Sequence, residues 1–284
     1  MRVALALGGG GARGYAHIGV IQVLQERGFD IVGLSGCSIG ALVGGLYAAG
    51  KFDPFVEWVR SVGHRDLLRL LDPAVGEPGA LRADKIMTRV SELLDGARIE
   101  QLPMPFTAVA TDLLARRPVW FQHGRVDIAV RASIALPPAI TPVVHDGRLL
   151  ADGGLADPLP MAATTAVRAD AVVAVSLNGA RADAAPATPL RASADPDQAR
   201  GSESDEDALG VLPASLHTSD VMSLSLETMQ ELLIRYRLAG YPPDLLVEVP
   251  TDACRPHEFD RATEMIDVGR GAAASALTSS PLGR

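Results

Sequence analysis

The sequence contains little cysteine and few aromatic residues, and each shortage excludes a class of protein. Two cysteines, Cys37 and Cys254, are too few for a fold held together by several disulfides. Aromatic residues form 4% of the chain, so we expect a core of alanine, valine, leucine and isoleucine. The N-terminal apolar run ends at Leu7 and is too short for a signal peptide, which predicts a location in the reducing cytoplasm.

Basic residues are also scarce. The chain has 26 lysines and arginines against 34 aspartates and glutamates, which gives a formal net charge of −8. Neutralising phosphate groups requires a basic surface, so we predict no nucleic-acid partner and no strongly cationic face for membrane docking. Cysteine and histidine do not occur at the spacing of a metal site, and we expect neither a metal nor a cofactor.

A glycine-rich turn follows the first predicted strand. The strand covers residues 2–7, which are nearly all apolar, and apolar residues recur at helical spacing from His17 to Arg27. Free backbone N–H groups at the start of a helix favour an anion, so residues 8–14 form a predicted anion site. Arg13 in this turn either attracts an anionic group or pairs with a carboxylate that holds the loop.

Two anions suit such a turn: a dinucleotide pyrophosphate and the oxyanion of a tetrahedral acyl intermediate. The G-x-G-x-x-G spacing that is typical of dinucleotide sites is present at Gly9, Gly11 and Gly14. A dinucleotide site also needs an acidic residue at the end of the second strand. The second strand has its acidic residue, Asp30, at its beginning and Ser38 near its end. The acid that would hold the ribose is therefore missing from the expected place, and the sequence disfavours a nucleotide.

Residues 31–50 contain no charged side chain and carry a nucleophile-elbow pattern. A short apolar run that suits a buried strand precedes Gly36-Cys37-Ser38-Ile39-Gly40, and a second apolar run that suits a buried helix follows it. The G-x-S-x-G pattern holds a serine hydroxyl above a sheet, and its glycines avoid collisions with the neighbouring strand and helix. Because ligands collect at the carboxyl ends of parallel strands, we expect Ser38 to lie beside the glycine-rich turn. Cys37 is predicted to be a small buried residue rather than a nucleophile.

A predicted hairpin supplies a carboxylate. Asp146-Gly147 is a strong two-residue turn signal between two short apolar runs, and the returning strand ends in Asp152-Gly153-Gly154. This ending is either a plain turn or the place of a catalytic base. A catalytic site with a serine nucleophile and an anion site also needs a base, and Asp152 is the candidate for that base.

The remaining pattern predicts an α/β protein that forms one domain over residues 1–284. Residues 179–213 are rich in alanine, aspartate, proline and serine, which predicts a disordered or mobile insertion. The other predicted helices are Phe52–Val62, Asp66–Leu71, Ala83–Leu94, Asp127–Ala135, Ser215–Leu238 and His257–Leu277, and the other strands are Phe106–Thr111, Pro118–His123, Ala171–Leu177 and Leu245–Val249.

Taken in order, three motifs resemble the patatin-like phospholipase family, in particular its small bacterial members. They are Gly9-Gly10-Gly11-Ala12-Arg13-Gly14, Gly36-Cys37-Ser38-Ile39-Gly40 and Asp152-Gly153-Gly154. The connecting segments Val109–Asp112 and Arg131–Pro137 are similar too, and the resemblance covers about residues 1–178. It implies a three-layer α/β/α sandwich with a mostly parallel central sheet.

The resemblance also implies a mechanism without a catalytic histidine. Ser38 would attack an ester carbonyl and Asp152 would take its proton, while the turn containing Gly9, Gly10, Gly11 and Arg13 would hold the oxyanion. The implied substrate is a lipid or simple ester, with transient contact to a membrane surface. An aspartate with an ordinary pKa is a weak base for a hydroxyl, so we expect burial to raise the pKa of Asp152.

Two alternatives stay open at this point. The first is a Ser-His-Asp hydrolase, in which His217 or His257 would be the base, although both fall in predicted helices after the insertion. The second is a catalytically inactive or regulatory member that binds acyl lipid or a protein partner, since intact motifs do not prove turnover.

Overall fold

The computed structural model describes residues 1–70, 72–74, 76, 78–180 and 216–283. The predicted insertion lies outside this part of the chain, except that Gly179 belongs to a strand and Ala180 follows it. The strands are β1 Arg2–Leu7, β2 Asp30–Cys37, β3 Phe106–Asp112, β4 Arg117–Phe121, β5 Val143–His145, β6 Arg148–Asp152, β7 Ala171–Gly179 and β8 Leu245–Pro250. The α-helices are α1 Ala16–Glu26, α2 Ile39–Ala48, α3 Phe52–Ser61, α4 His64–Leu70, α5 Asp84–Leu94, α6 Val126–Ser133, α7 Thr218–Gly240 and α8 Ala262–Ser279.

All eight strands belong to one mixed sheet with the order β5-β6-β3-β2-β1-β7-β8, and β4 also pairs with β3. The neighbouring strands β3, β2, β1, β7 and β8 pair in parallel. Strands β4 and β6 pair antiparallel with β3, and β5 pairs antiparallel with β6. The α/β class and the mostly parallel sheet are therefore confirmed.

The two faces of the sheet carry side chains of different size. On β1, Val3, Leu5 and Leu7 join the large core under α1, α2 and α8, whereas Ala6 faces the opposite side. Successive side chains of a strand point to opposite faces, so this alternation sorts branched residues from alanine. On the alanine side the sheet is covered by Ile234 of α7 and by Leu159 and Met161. Helices thus flank the sheet on both sides.

Strand β3 places the ends of β2 and β6 next to each other. Its partner β4 occupies one edge continuously from Ala108 to Asp112. On the other edge β2 pairs up to Val109, opposite Cys37, and β6 takes over at Ala110, opposite Asp152. The two strands thus meet end to end along one edge of β3. Because of this register, residue 152 lies beside the turn that follows Cys37.

Strand β2 runs from Asp30 to Cys37, close to its predicted span, and residues 34–37 pair in parallel with β3. The predicted start of the last helix is wrong, because this helix begins at Ala262 rather than at His257. Before it, the Glu258 carboxylate accepts the backbone N–H of Arg255 at 3.0 Å, which closes a turn in place of a helix. Among the described helices, none is both long and apolar enough to cross a bilayer.

Candidate active site

Ser38 occupies a strained turn between β2 and α2. Its backbone dihedrals are φ 55° and ψ −125°, a conformation that a non-glycine residue adopts only when its surroundings hold it. A Cβ at Gly36 would lie 2.4 Å from the carbonyl oxygen of Gly40, and one at Gly40 would lie 2.3 Å from that of Leu7. Both glycines are therefore required by the close approach of α2 to the sheet.

The hydroxyl of Ser38 donates directly to Asp152. The distance from Oγ to Oδ2 is 2.5 Å. The other carboxylate oxygen, Oδ1, accepts the backbone N–H of Gly154 at 2.7 Å and the Cys37 thiol at 3.8 Å. Thr111 fixes the backbone here, since its hydroxyl donates to the carbonyl oxygen of Asp152 at 2.8 Å. The arrangement presents a serine hydroxyl to a fixed carboxylate acceptor.

Burial sets the protonation of the groups around Ser38. Asp152 is 1% exposed, and this desolvation raises its pKa from 3.8 to about 6, although the hydrogen bonds from Ser38, Gly154 and Cys37 act in the opposite direction. At neutral pH the carboxylate is ionised and is a stronger proton acceptor than an exposed aspartate. Burial also raises the pKa of Cys37 well above its usual range, so the thiol stays protonated.

The glycine-rich turn lies directly against Ser38. A Cβ at Gly9 would lie 3.3 Å from the Cβ of Ser38 and 3.4 Å from the Sγ of Cys37. However, the N–H of Gly9 donates to the carbonyl oxygen of Pro158 at 3.0 Å, so it already has an acceptor. Gly10 and Gly11 begin the 3-10 turn Gly11–Tyr15, where backbone N–H groups have no partner within the helix. Of the three glycines predicted to hold an oxyanion, Gly9 thus has its N–H engaged with Pro158 in this structure.

Glycine is also required elsewhere in the motifs. Gly11 has φ +59°, and a Cβ there would lie 2.3 Å from the carbonyl oxygen of Pro256. A Cβ at Gly14 would lie 2.0 Å from Ile39, the residue that follows Ser38. A Cβ at Gly153 would lie 2.1 Å from the carbonyl oxygen of Val109. The three motifs are thus packed on one another.

Arg13 was predicted either to attract an anion or to pair with a carboxylate, and the structure has the second arrangement. Its guanidinium donates to the carbonyl oxygen of Thr251 at 3.0 Å and lies 3.3 Å from a carboxylate oxygen of Glu227 on α7. The side chain is 3% exposed. Arg13 therefore connects the glycine-rich turn to α7, and its guanidinium is not directed at Ser38.

Two residues that the sequence patterns did not single out hold this site. The backbone N–H of Ser38 donates to the hydroxyl of Ser133 at 2.8 Å, and that hydroxyl donates to the carbonyl oxygen of Val109 at 2.6 Å. His17 is fully buried, and its Nε2 lies 2.8 Å from the carbonyl oxygen of Gly8, which makes this nitrogen the donor. Each of these residues acts through a tertiary contact of a single side chain, and such a contact leaves no periodic signal in a sequence.

The histidines of the alternative mechanism lie elsewhere. His217 is exposed and is the N-cap residue of α7, with its N–H donating to the Asp220 carboxylate. His257 is exposed in the turn before α8. Since Asp152 contacts Ser38 directly, no imidazole stands between them. Across the described residues, no cluster of histidine, cysteine and acidic side chains could hold a metal ion.

The site lies within a region shared with known proteins. A family model described as patatin-like phospholipase matches residues 5–165. Uncharacterized NTE family proteins of Mycobacterium tuberculosis and Mycobacterium bovis are 46% identical over 328 aligned residues, covering 97% of this chain and 91% of theirs. The lysophospholipase NTE1 of Mycosarcoma maydis is 35% identical over 181 residues, which cover 62% of this chain and 10% of that protein. The chain therefore belongs to the patatin-like phospholipase family.

Proposed function

We propose that the protein hydrolyses lipid esters with Ser38 as nucleophile and Asp152 as base. As a member of this family the chain is a lipid hydrolase, and the residue roles are our proposal. The observation that carries them is the 2.5 Å hydrogen bond from Ser38 Oγ to a buried carboxylate whose pKa is raised to about 6. A base with a pKa close to the working pH is the most effective proton acceptor.

In the first half of the reaction, Ser38 Oγ attacks the ester carbonyl carbon while its proton passes to Asp152. The carbonyl oxygen becomes an oxyanion, which the N–H groups of Gly10 and Gly11 would stabilise; removing one such donor typically costs about 10²–10³-fold in rate. Collapse of this intermediate expels the alcohol, which takes the proton from Asp152. The product is an acyl ester on Ser38.

In the second half, Asp152 accepts a proton from water, and the resulting hydroxide attacks the acyl ester. The second oxyanion collapses, the bond to Ser38 breaks, and the proton on Asp152 returns to the serine oxygen. The fatty acid leaves and the starting state is restored.

The substrate class that we propose is a glycerophospholipid or lysophospholipid. The lysophospholipase name of the fungal relative supports an ester with one acyl chain, and the phospholipase name of the family model supports one with two. We also propose that residues 1–284 form one domain, since β8 and α8 complete the same sheet and core as β1.

The test is covalent labelling with a fluorophosphonate, followed by intact-mass spectrometry. We expect the unmodified chain to gain one phosphonyl group, and we expect Ser38→Ala and Asp152→Asn to lose that labelling. A variant with both His217 and His257 replaced by alanine should label as the parent does. Absence of labelling of the parent between pH 5 and 9 would overturn the hydrolase mechanism and favour a lipid-binding role.

A further inference from the structure

Helix α7 presents a row of large apolar side chains to solvent. Among the described residues, half of the exposed large apolar side chains belong to this helix: Val221, Met222, Leu224, Met229, Leu232 and Tyr236. Met222, Met229 and Tyr236 are seven residues apart, and Leu232 lies between the last two at i+3, so these four share one face. We call Met222, Met229, Leu232 and Tyr236 the outer stripe.

The opposite face of α7 is bound to the candidate active site. Glu227 pairs with Arg13 of the glycine-rich turn at 3.3 Å. A Cβ at Gly154 would lie 2.6 Å from Nε2 of Gln230, which places this side chain beside the residue whose N–H binds Asp152. Ile234 is buried against Leu159 and Met161. Thus one helix joins the outer stripe to the site.

All five charged residues of α7 have partners of their own. Glu227 pairs with Arg13, Glu231 with Arg235, and Asp220 accepts the N–H of His217. The Nε of Arg237 lies 3.2 Å from the buried carboxylate of Asp157, an ion pair rather than an aligned hydrogen bond. Among the described residues of α7, no charged side chain is therefore left unpaired beside the outer stripe.

We propose that the outer stripe of α7 docks on the uncharged interfacial region of a lipid surface and brings that surface to the candidate active site. This inference rests on the proposed function and names where the enzyme meets its substrate. Continuity with Asp152 and the glycine-rich turn distinguishes this stripe from other exposed apolar residues. Residues 220–225 are all exposed, so these N-terminal turns of the helix present their side chains to an interface.

The charge distribution decides which lipid surface fits. The chain carries a formal net charge of −8, and α7 has no unpaired basic residue to attract anionic headgroups. Binding must then come from apolar side chains entering the headgroup and acyl boundary, and its strength follows the apolar area buried. Methionine and leucine adapt to such a boundary, and tyrosine is suited to one that is apolar on one side and wet on the other. We therefore expect binding to zwitterionic lipid that does not weaken in salt.

The binding test uses phosphatidylcholine vesicles and sedimentation, in the Ser38→Ala background so that no lipid is consumed. The test variant is Met229→Glu with Leu232→Glu. The matched control is Leu114→Glu with Val144→Glu, because these two apolar residues are even more exposed but lie outside α7, in the turn after β3 and in the edge strand β5. We expect the α7 variant to lose about tenfold or more in vesicle partitioning, while the control stays at the parent level.

A second measurement separates this inference from the proposed function. With Ser38 intact, the α7 variant should lose about tenfold in activity on phosphatidylcholine vesicles and should hydrolyse a water-soluble short-chain ester like the parent. If the parent hydrolyses neither ester and takes no fluorophosphonate, the proposed function fails while the sedimentation result still tests the stripe.

Three outcomes would overturn the docking proposal. One is equal vesicle partitioning of the α7 variant and the parent. Another is binding that requires anionic phosphatidylglycerol and disappears in about 0.5 M salt, where the Debye length falls to about 4 Å, since a basic patch elsewhere would then be responsible. The third is a parent dimer that becomes monomeric in the α7 variant by light scattering, which would make a second copy of the chain the occupant.

Discussion

Two regions of the molecule lie in contact but are held in place by different means. One is the point where the ends of β2 and β6 meet, and the other is helix α7. Asp152 is buried and Ser38 is half-buried, and the hydroxyls of Ser133 and Thr111 fix the backbone at both residues. Helix α7 is attached through one buried apolar residue, Ile234, and two ion pairs, and most of its remaining surface is exposed. Few buried contacts imply a low free energy of local opening.

The two regions meet two different requirements of a lipid hydrolase. Proton transfer requires fixed distances, because a displacement of about 1 Å can cost about 10²-fold in rate. Access to a lipid chain instead requires a part that can move or dock. We therefore expect substitutions at the strand ends to reduce the rate of chemistry, and substitutions on α7 to leave that rate unchanged.

The largest effect should come from the reacting groups. We expect Ser38→Ala to abolish ester hydrolysis, and Asp152→Asn to lower kcat by roughly 10²–10⁴-fold, because an amide cannot accept the serine proton. Steady-state kinetics on a short-chain ester measures both. Activity of Asp152→Asn within about threefold of the parent, a difference of about 0.7 kcal/mol in the barrier, would assign the base to another group.

A smaller effect should come from the support behind the nucleophile. Ser133→Ala leaves the N–H of Ser38 without its acceptor, so the strained turn loosens and kcat should fall by roughly 10–100-fold with little change in KM. Ser133→Thr keeps the hydroxyl and should restore much of the rate. If Ser133→Ala lowers only the free energy of unfolding and leaves kcat intact, Ser133 is structural and does not position Ser38.

The pH dependence should show that the strand ends are strongly desolvated. Asp152 must be ionised to accept a proton, so kcat/KM should fall about tenfold per pH unit below a pKa of about 6. A limb near pH 4, which is typical of an exposed aspartate, would contradict this. The profile of a short-chain ester is the suitable measurement, because it avoids changes in a lipid surface.

The same raised pKa predicts that the free energy of unfolding falls as the pH rises, whereas activity increases over the same range. Protonated Asp152 is favoured by burial, so its contribution to stability is fully present below pH 3.8 and is lost as the pH rises through about 6. A difference of this size corresponds to roughly 3 kcal/mol. Asp152→Asn should therefore have a higher free energy of unfolding than the parent at pH 8 and a similar one at pH 4, measured with urea. Asp157, whose pKa burial also raises to about 6, leaves a residual slope in both proteins.

The smallest effect should come from the links of α7. Glu227→Gln removes the carboxylate that faces the buried guanidinium of Arg13, and we expect the free energy of unfolding to fall by about 1 kcal/mol. The control is Glu231→Gln, which removes a surface pair with Arg235 and should change it by less than about 0.5 kcal/mol. Hydrolysis of a short-chain ester should be unchanged in both. A large loss of activity in Glu227→Gln would mean that α7 positions the catalytic groups.

The sequence predicted the regular elements of this fold well because most of them have a one-sided or fully buried pattern. Strand β1 matches its predicted bounds, and the turn at Asp146-Gly147 joins β5 to β6 as expected. The juxtaposition of Ser38 and Asp152 was inferred from chemistry and from the family resemblance. Its physical cause, the end-to-end pairing of β2 and β6 on β3, depends on a register that no local pattern encodes.

Other features depend on tertiary contacts of single residues. Ser133 looks like any serine at the end of a helix, and its importance arises only because Ser38 N–H lies 2.8 Å away. The hydrogen bond that engages the N–H of Gly9 depends on Pro158, which is distant in sequence. Helix α7 was predicted as a helix, but its spacing alone could not indicate that the apolar outer stripe faces solvent while an ion-paired face packs inward.

The end-to-end meeting of β2 and β6 along β3 has a consequence for the newly made protein. A chain in which β1, β2 and β3 have assembled already holds the serine turn, but it has no base until β6 pairs at Ala110. On the proposed mechanism, such a partly folded chain cannot cleave an ester. The onset of hydrolysis thus reports that β6 has paired with β3, and a chain that has not reached this stage leaves the surrounding lipids intact.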